Sequence, residues 1–449
     1  MTHAPLRAVL LSGCVALLSA CGQAAGPSPA SSFGANPQLP DPHKQFIPTV
    51  KIAKAVGWPA GATPRAAAGF RVASFADGLD HPRWIYVLPN GDVLVAETNA
   101  PPRQKEPSGG GIRGFVTGLV MKQAGAATPS PNRIVLLRDA DGDGKPEVRT
   151  TFLKGLNSPF GMALVGDKFY VANADAVVSF PYTTGQTEIT APATRVTPLP
   201  AGINHHWTKN LIASPDGHRL YVTVGSNSNV GENGLAMEKN RAAILELDLN
   251  TSGLKLFADG LRNPNGMAWE PLSGALWTVV NERDEIGDNL VPDYLTSVQG
   301  GGFYGWPYSY FGQHVDTRVK PQDPAKVAKA IVPDYALGAH TASLGLAFYD
   351  AQRFPAHYQG GAFIGQHGSW NRSTPAGYKV IFVPFANSRP VGPPEDILTG
   401  FLDDKGQALG RPVGVAVDRA GGLLVADDVG NKIWRVTSTN PPAPATAAQ

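Results

Sequence analysis

One phrase returns six times along this chain: a turn with Pro or Gly, a short apolar run, a Pro/Asp/Asn-Gly hairpin, then a second apolar run. It reads HPRWIYVLPNGDVLVAET from His81, SPFGMALVGDKFYVAN from Ser158 and HHWTKNLIASPDGHRLYVTVG from His205. It returns as NPNGMAWEPLSGALWTVVNE from Asn263, SLGLAFYDAQRFPAHYQGGAFIGQHG from Ser343 and RPVGVAVDRAGGLLVADD from Arg411. The runs are rich in Val, Leu, Ile, Tyr and Trp and are bounded by Gly, Pro, Asn and Asp, as β-strands are. Repeats of this kind predict an all-β chain, a six-bladed β-propeller with loop insertions. Such a fold gathers one loop from every blade around a single axis, so residues far apart in sequence share one site. The 51 Gly and 40 Pro, against 16% charged residues, suit many short strands joined by tight turns.

The first residues read as an address. Arg7 precedes an apolar run from Ala8 to Leu18 that is too short to span a bilayer. Leu18-Ser19-Ala20-Cys21 resembles a bacterial lipobox, in which Cys21 is acylated and becomes the mature N-terminus. Leu11-Ser12-Gly13-Cys14 has the same form with almost no apolar stretch before it. The expected organisation is a lipoprotein signal peptide over 1–20 and a flexible Ala/Pro/Ser tether over 21–47. The propeller then spans 48–437, and a disordered tail spans 438–449. An ordinary secretory signal is the other reading, and either exports the protein. The anchor implies a lipoprotein on the periplasmic face or outer membrane of a bacterium, touching membrane only through Cys21. Cys14 leaves with the signal, so no disulfide is expected. The net charge of +2 gives no case for a nucleic-acid partner. Residues 101–131 and 285–342 interrupt the repeat and read as insertions on the binding face.

Several blade starts and strand ends carry chemistry. His206, before the strand LIASPDGHRLYVTVG, is placed to face the channel as a proton acceptor; the plainer reading is a strand-capping histidine. Arg262 and Asn263 open the next blade. Arg262 offers a planar fork for carboxylates, or equally a brace for loop carbonyls. Glu282 and Arg283, in NERDEIGD, offer backbone carbonyls to Ca²⁺ or belong to a solvated charge run. Trp370 and Arg372, in GQHGSWNR, offer a flat face and a cation, and Lys379 follows them. Arg411 opens the last blade in the position Arg262 takes in its own. Asp139, Asp141 and Asp143 alternate as in the first half of a calcium loop, but Thr150 stands where the loop's bidentate Glu belongs. They read as a hairpin turn or a second, structural metal site. Clustered cations repel unless an anion fills the space between them, so Arg262, Arg372 and Arg411 suit a flat ligand with several carboxylates. The chain has no P-loop, no G-x-S-x-G elbow, no HExxH and no C-x-x-C-H.

These motifs resemble the soluble quinoprotein sugar dehydrogenases of the glucose and aldose type, and most closely their sorbosone dehydrogenase-like relatives. The residues that carry the resemblance are HHWTKNL, GLRNPNGMAW, VVNERDEIGDNLVPDYLTSV, GGGFYGWP, GQHGSWNR and GRPVGVAVD. It spans roughly residues 65–437. The family implies a six-bladed propeller holding pyrroloquinoline quinone (PQQ) over Ca²⁺, a sugar substrate, and a quinone or cytochrome as electron acceptor. It implies His206 as general base, Arg262, Asn263 and Arg411 at the cofactor, and carbonyls near Glu282 and Arg283 on the calcium. Trp370 and Arg372 join the cofactor set. Where the glucose-type enzymes carry Gln-Gly-Gly-Leu, this chain has Pro159-Phe160-Gly161-Met162, and Ser369 to Arg372 occupies the region of a family lysine. The expectation is therefore oxidation of an aldose or a sorbosone-like aldehyde. The rivals are a Ca²⁺-dependent lactonase-type hydrolase, with Glu97 or Glu282 as axial carboxylate, and a non-catalytic glycan- or protein-binding propeller.

Overall fold

The apolar runs are continuous where a strand is covered on both faces and alternate where one face meets water. Val93–Glu97, Leu276–Val280, Ala362–Gln366 and Leu423–Asp427 are buried at every position. Thr194–Pro198 and Leu254–Asp259 are largely solvent-facing. The first set are second strands inside blades and the second set are outermost strands. In the computed structural model, which describes residues 28–43, 49, 51–102 and 128–441, these strands form the six antiparallel blades expected of a β-propeller.

The innermost strands are Pro82–Val87, Met162–Val165, Leu211–Ala213, Pro264–Trp269, Ser343–Phe348 and Pro412–Val417; we number the blades 1 to 6 in that order. Phe70–Ala76 pairs with Lys432–Ser438 and is the outer strand of blade 6, so the N-terminal side of the chain closes the ring. Six apolar cores lie between neighbouring blades, one per joint. Trp84 packs on Phe160 between blades 1 and 2, and Trp277 on Phe348 between blades 4 and 5. Each large apolar side chain so buried contributes roughly 1.5–3 kcal/mol.

Two expectations change. The stretch 285–342 is not only an insertion: Pro292–Ser297 and Tyr335–Ala339 are the third and fourth strands of blade 4. Their separation by more than thirty residues of loop hid them from a reading based on repeat spacing. Within the expected tether, Phe33–Gly34 pairs with Tyr335–Ala339 as a fifth strand of blade 4. Further on, Arg65–Ala66 does the same for blade 5. The signal peptide, Cys21, the tail from 442 and residues 103–127 of the first insertion lie outside the described residues.

Candidate active site

Inner strands begin at one end of the ring and second strands finish there. In blades 1, 4, 5 and 6 the inner strand starts with a register shift against its neighbour, at Pro82/Trp84, Pro264/Met267, Ser343/Gly345 and Pro412/Val415. A bulge of this kind re-aims a side chain out of the pleat. Here it turns the residues around the strand start toward the axis. His81, Asn263 and Arg411, each just before a strand-opening proline, all line one cavity of about 790 Å³. Residues that follow second strands line it too: Asn99, Asn281, His367 and Asp428.

His206 is on the wall, in the loop leading to Leu211. Its Nδ1 lies 2.9 Å from the Ser226 carbonyl oxygen, which only accepts. Nδ1 therefore carries the proton and Nε2 keeps its lone pair. Burial, and then the charge of Arg262, hold the imidazole well below the ordinary histidine range. It is a neutral base at pH 7. Lys209, buried, fixes its position by donating to the carbonyls of His206 (3.3 Å) and Trp207 (3.1 Å) and to Asn204 Oδ1 (3.0 Å). Gly225 makes room for the ring: a Cβ there would stand 2.4 Å from both His206 Cβ and Asn263 Oδ1.

Arg411 is on the wall, with its guanidinium 5.0 Å from the Tyr378 ring centroid and Nη2 donating to the Ala53 carbonyl at 3.1 Å. Its Nε is buried without a protein partner. Trp370 also lines the cavity. Arg262 does not. It is 2% exposed, and its fork donates to the carbonyls of Asn229, Asn281 and Glu282, to Asn229 Oδ1 and to Asp284. The brace is what the structure shows. Arg372 also lies off the wall, fully buried with its guanidinium on Asn289 and Ser28. Glu282 and Arg283 also lie off the wall: the Glu282 carbonyl accepts from Arg262, and the two side chains pair with each other at 2.9 Å. Asp139, Asp141 and Asp143, with Glu147, cluster in the turn between the third and fourth strands of blade 1, at the opposite end of the ring. Their carboxylates accept backbone N–H groups of that turn.

Sequence reasoning missed a cluster on the wall beside Arg411. Asp428 Oδ2 accepts from Arg83 at 2.8 Å and from His367 at 2.9 Å, with His81 3.7 Å away. Burial pushes the Asp428 carboxyl up, but the charges of His367, His81 and Arg83 hold it far below the usual carboxylate range. Burial carries His367 down to about 4 against the pull of Asp428. Arg83 Nε, Asp428 Oδ1, Asn263 Oδ1 and Asn265 Oδ1 have no protein partner although buried. The signal was present: Arg83 and Asn265 each follow a strand-opening proline, two residues past the blade-start position that His81 and Asn263 take.

The TrAA12-like family matches the chain over residues 134–294 and 310–439. The chain belongs to that family. The relatives it matches include a protein named for PQQ-dependent pyranose oxidation. The chain is 24% identical over 439 aligned residues to that protein, the pyrroloquinoline quinone-dependent pyranose dehydrogenase of Coprinopsis cinerea, covering 83% of this chain and 54% of that protein. The chain spans about half the length of the curated relatives it matches. Among solved structures, the iodide structure of Trichoderma reesei family AA12 superposes with a TM-score of 0.67 at 21% identity, over 84% of this chain and 98% of the other. The holo pyranose dehydrogenase PQQ domain from Coprinopsis cinerea gives 0.66 at 22%, over 85% and 100%. At these identities the superpositions show the propeller fold alone.

Proposed function

We propose that the protein is a quinoprotein oxidoreductase that oxidises an aldose or sugar aldehyde of the sorbosone type, with PQQ and Ca²⁺ as cofactors and His206 as general base. One observation carries this reading: two guanidiniums from different blades, Arg83 and Arg411, share a cavity with a neutral histidine base and keep buried N–H groups unpartnered.

The residues fit the cofactor. PQQ is flat and carries three carboxylates, and Arg83, Arg411 and the Trp370 face suit it. Asn263 and Asn265 leave buried amide oxygens unpartnered, hard neutral donors of the kind Ca²⁺ takes together with a ligand's own carboxylates. When bound, PQQ supplies a two-electron acceptor and Ca²⁺ a Lewis acid beside it. The chain supplies the rest. His206 Nε2 takes the proton of the sugar hydroxyl while Nδ1 stays tied to Ser226. Asp428 holds Arg83 and His367 in place against the wall. Arg262 braces the loops at Asn229 and Glu282, and its charge adds to burial in keeping His206 deprotonated.

The hydrolase reading has less support. Glu97 is bound to Arg133 and Glu282 to Arg283, and neither lines the cavity. The sugar substrate leaves electrons for a quinone or cytochrome acceptor, and the anchor at Cys21 holds the enzyme at a membrane. The test is reconstitution: purified protein with PQQ and Ca²⁺ shows a bound-quinone absorption band and reduces dye with a panel of aldoses. Hydrolysis of lactones without PQQ, and no dye reduction, contradicts it.

A further inference from the structure

The segment before the ring adds edge strands to blades 4 and 5 at Phe33–Gly34 and Arg65–Ala66 and, around and between them, touches the cavity face at several points. Arg372 Nη1 donates to Ser28 Oγ, and His43 N donates to the Ile286 carbonyl at 2.9 Å. Lys51 N donates to the Trp370 carbonyl at 2.9 Å, and Trp58 Nε1 to Asp427 at 2.6 Å. Every one of these partners ends or follows a second strand, on the end of the ring where the cavity opens. Exposed Lys51, Lys54 and Val56 on this strap add cations and an apolar side chain to that face, groups that suit anionic headgroups.

Ser28 stands seven positions after Cys21. Even fully extended, that length of chain reaches no more than about 25 Å. We propose that the cavity face is held against the phospholipid surface, so that the site opens toward the bilayer and the Asp139–Glu147 turn points away from it. The inference rests on the reading of Cys21 as a lipid anchor. It makes the partner of this face a lipid surface carrying acidic headgroups.

The experiment uses the full mature chain on vesicles of phosphatidylethanolamine and phosphatidylglycerol with an acceptor dye on a fraction of the headgroups. A donor dye is clicked onto Lys54 or Ala201 of the cavity face, or onto Leu272, 77% exposed in the turn that ends the inner strand of blade 4 at the other end. One arm uses protein acylated by its host; the other couples the Cys21 thiol to a maleimide-headgroup lipid. Energy transfer at least twofold stronger from Lys54 and Ala201 than from Leu272, in both arms, supports the proposal. Equal or reversed transfer in the coupled arm overturns the orientation. Mass spectrometry showing Cys21 without acyl chains overturns the anchor, and the proposal with it, while leaving the geometric result of the coupled arm standing.

Discussion

At the scale of the residue, His206 is set up by its neighbours rather than by its own chemistry. The Ser226 carbonyl fixes the tautomer, and burial with Arg262 keeps the ring unprotonated. Replacing His206 with Ala is expected to lower turnover by about 10²–10⁴-fold while PQQ binding, read by absorption, stays nearly unchanged. The same environment fixes a pH profile. A free histidine loses its base form below about pH 6.5, but this one is held well below that value. The rate measured from pH 7.5 down to 6 is therefore expected to stay flat; a fall centred on 6.5 would show an ordinary, solvated imidazole. The arginines separate by the same logic. Arg411→Met removes an unpartnered donor on the wall and is expected to weaken PQQ, with a modest effect on melting. Arg262→Met strips several carbonyls and Asp284 of their partner and is expected to cost about 3–5 kcal/mol of stability. Arg262 and Arg411 look alike in sequence because both sit at the start of a blade. Only Asn229 and the 281–284 loop, brought in from other parts of the chain, make one of them a brace.

At the scale of the element, strand starts decide what reaches the axis. The period of the sequence located inner and second strands well, because each hairpin is marked by its own Gly, Pro or Asn. It did not locate the third and fourth strands of blade 4, separated by the 298–334 excursion, or the edge strands at Phe33 and Arg65, whose two-residue pairings have no period. The wall cluster of Arg83, His81, His367 and Asp428 was half legible. All four sit at positions the blade phase marks, but the bulges that aim the strand starts inward are set by cross-strand register and leave no local signature. Gly225 gives a test at this scale. Gly225→Ala forces a methyl against His206 and Asn263 and is expected to cut kcat tenfold or more with the far-ultraviolet circular dichroism of the propeller retained. Lys209→Met, measured by the same assay, is expected to act in the same direction, because three acceptors that set the His206 loop lose their donor.

At the scale of the whole molecule, the ring stacks six interblade cores and gathers a cluster of ionisable groups, buried His81, Arg411 and Asp428 with part-buried Arg83 among them, at the cavity end. His81, His206 and His367 all titrate below the value they take in the unfolded chain. As pH falls below about 6.5 the unfolded chain binds protons that these folded histidines refuse, so each of them withdraws stability through that range. For His367 the loss runs to about pH 4. Burial pushes Asp293 up to about 6, and Asp284 raises His340 against its own burial, so these two groups offset part of the loss. Melting temperature followed from pH 7 to 4 is expected to fall less in His367→Gln than in wild type, and an unchanged slope would show His367 solvated. In the proposed site Arg83 and Arg411 close on a flat polyanion that shares the cavity with the neutral His206. Equilibrium dialysis of PQQ with Ca²⁺ against wild type, Arg83→Met and Arg411→Met tests it most directly. Each lost charge-assisted bond is worth about 1.5–3 kcal/mol, so each variant is expected to bind roughly 10- to 100-fold more weakly. Wild-type affinity retained in both variants, or no uptake of PQQ by wild type, would rule this site out.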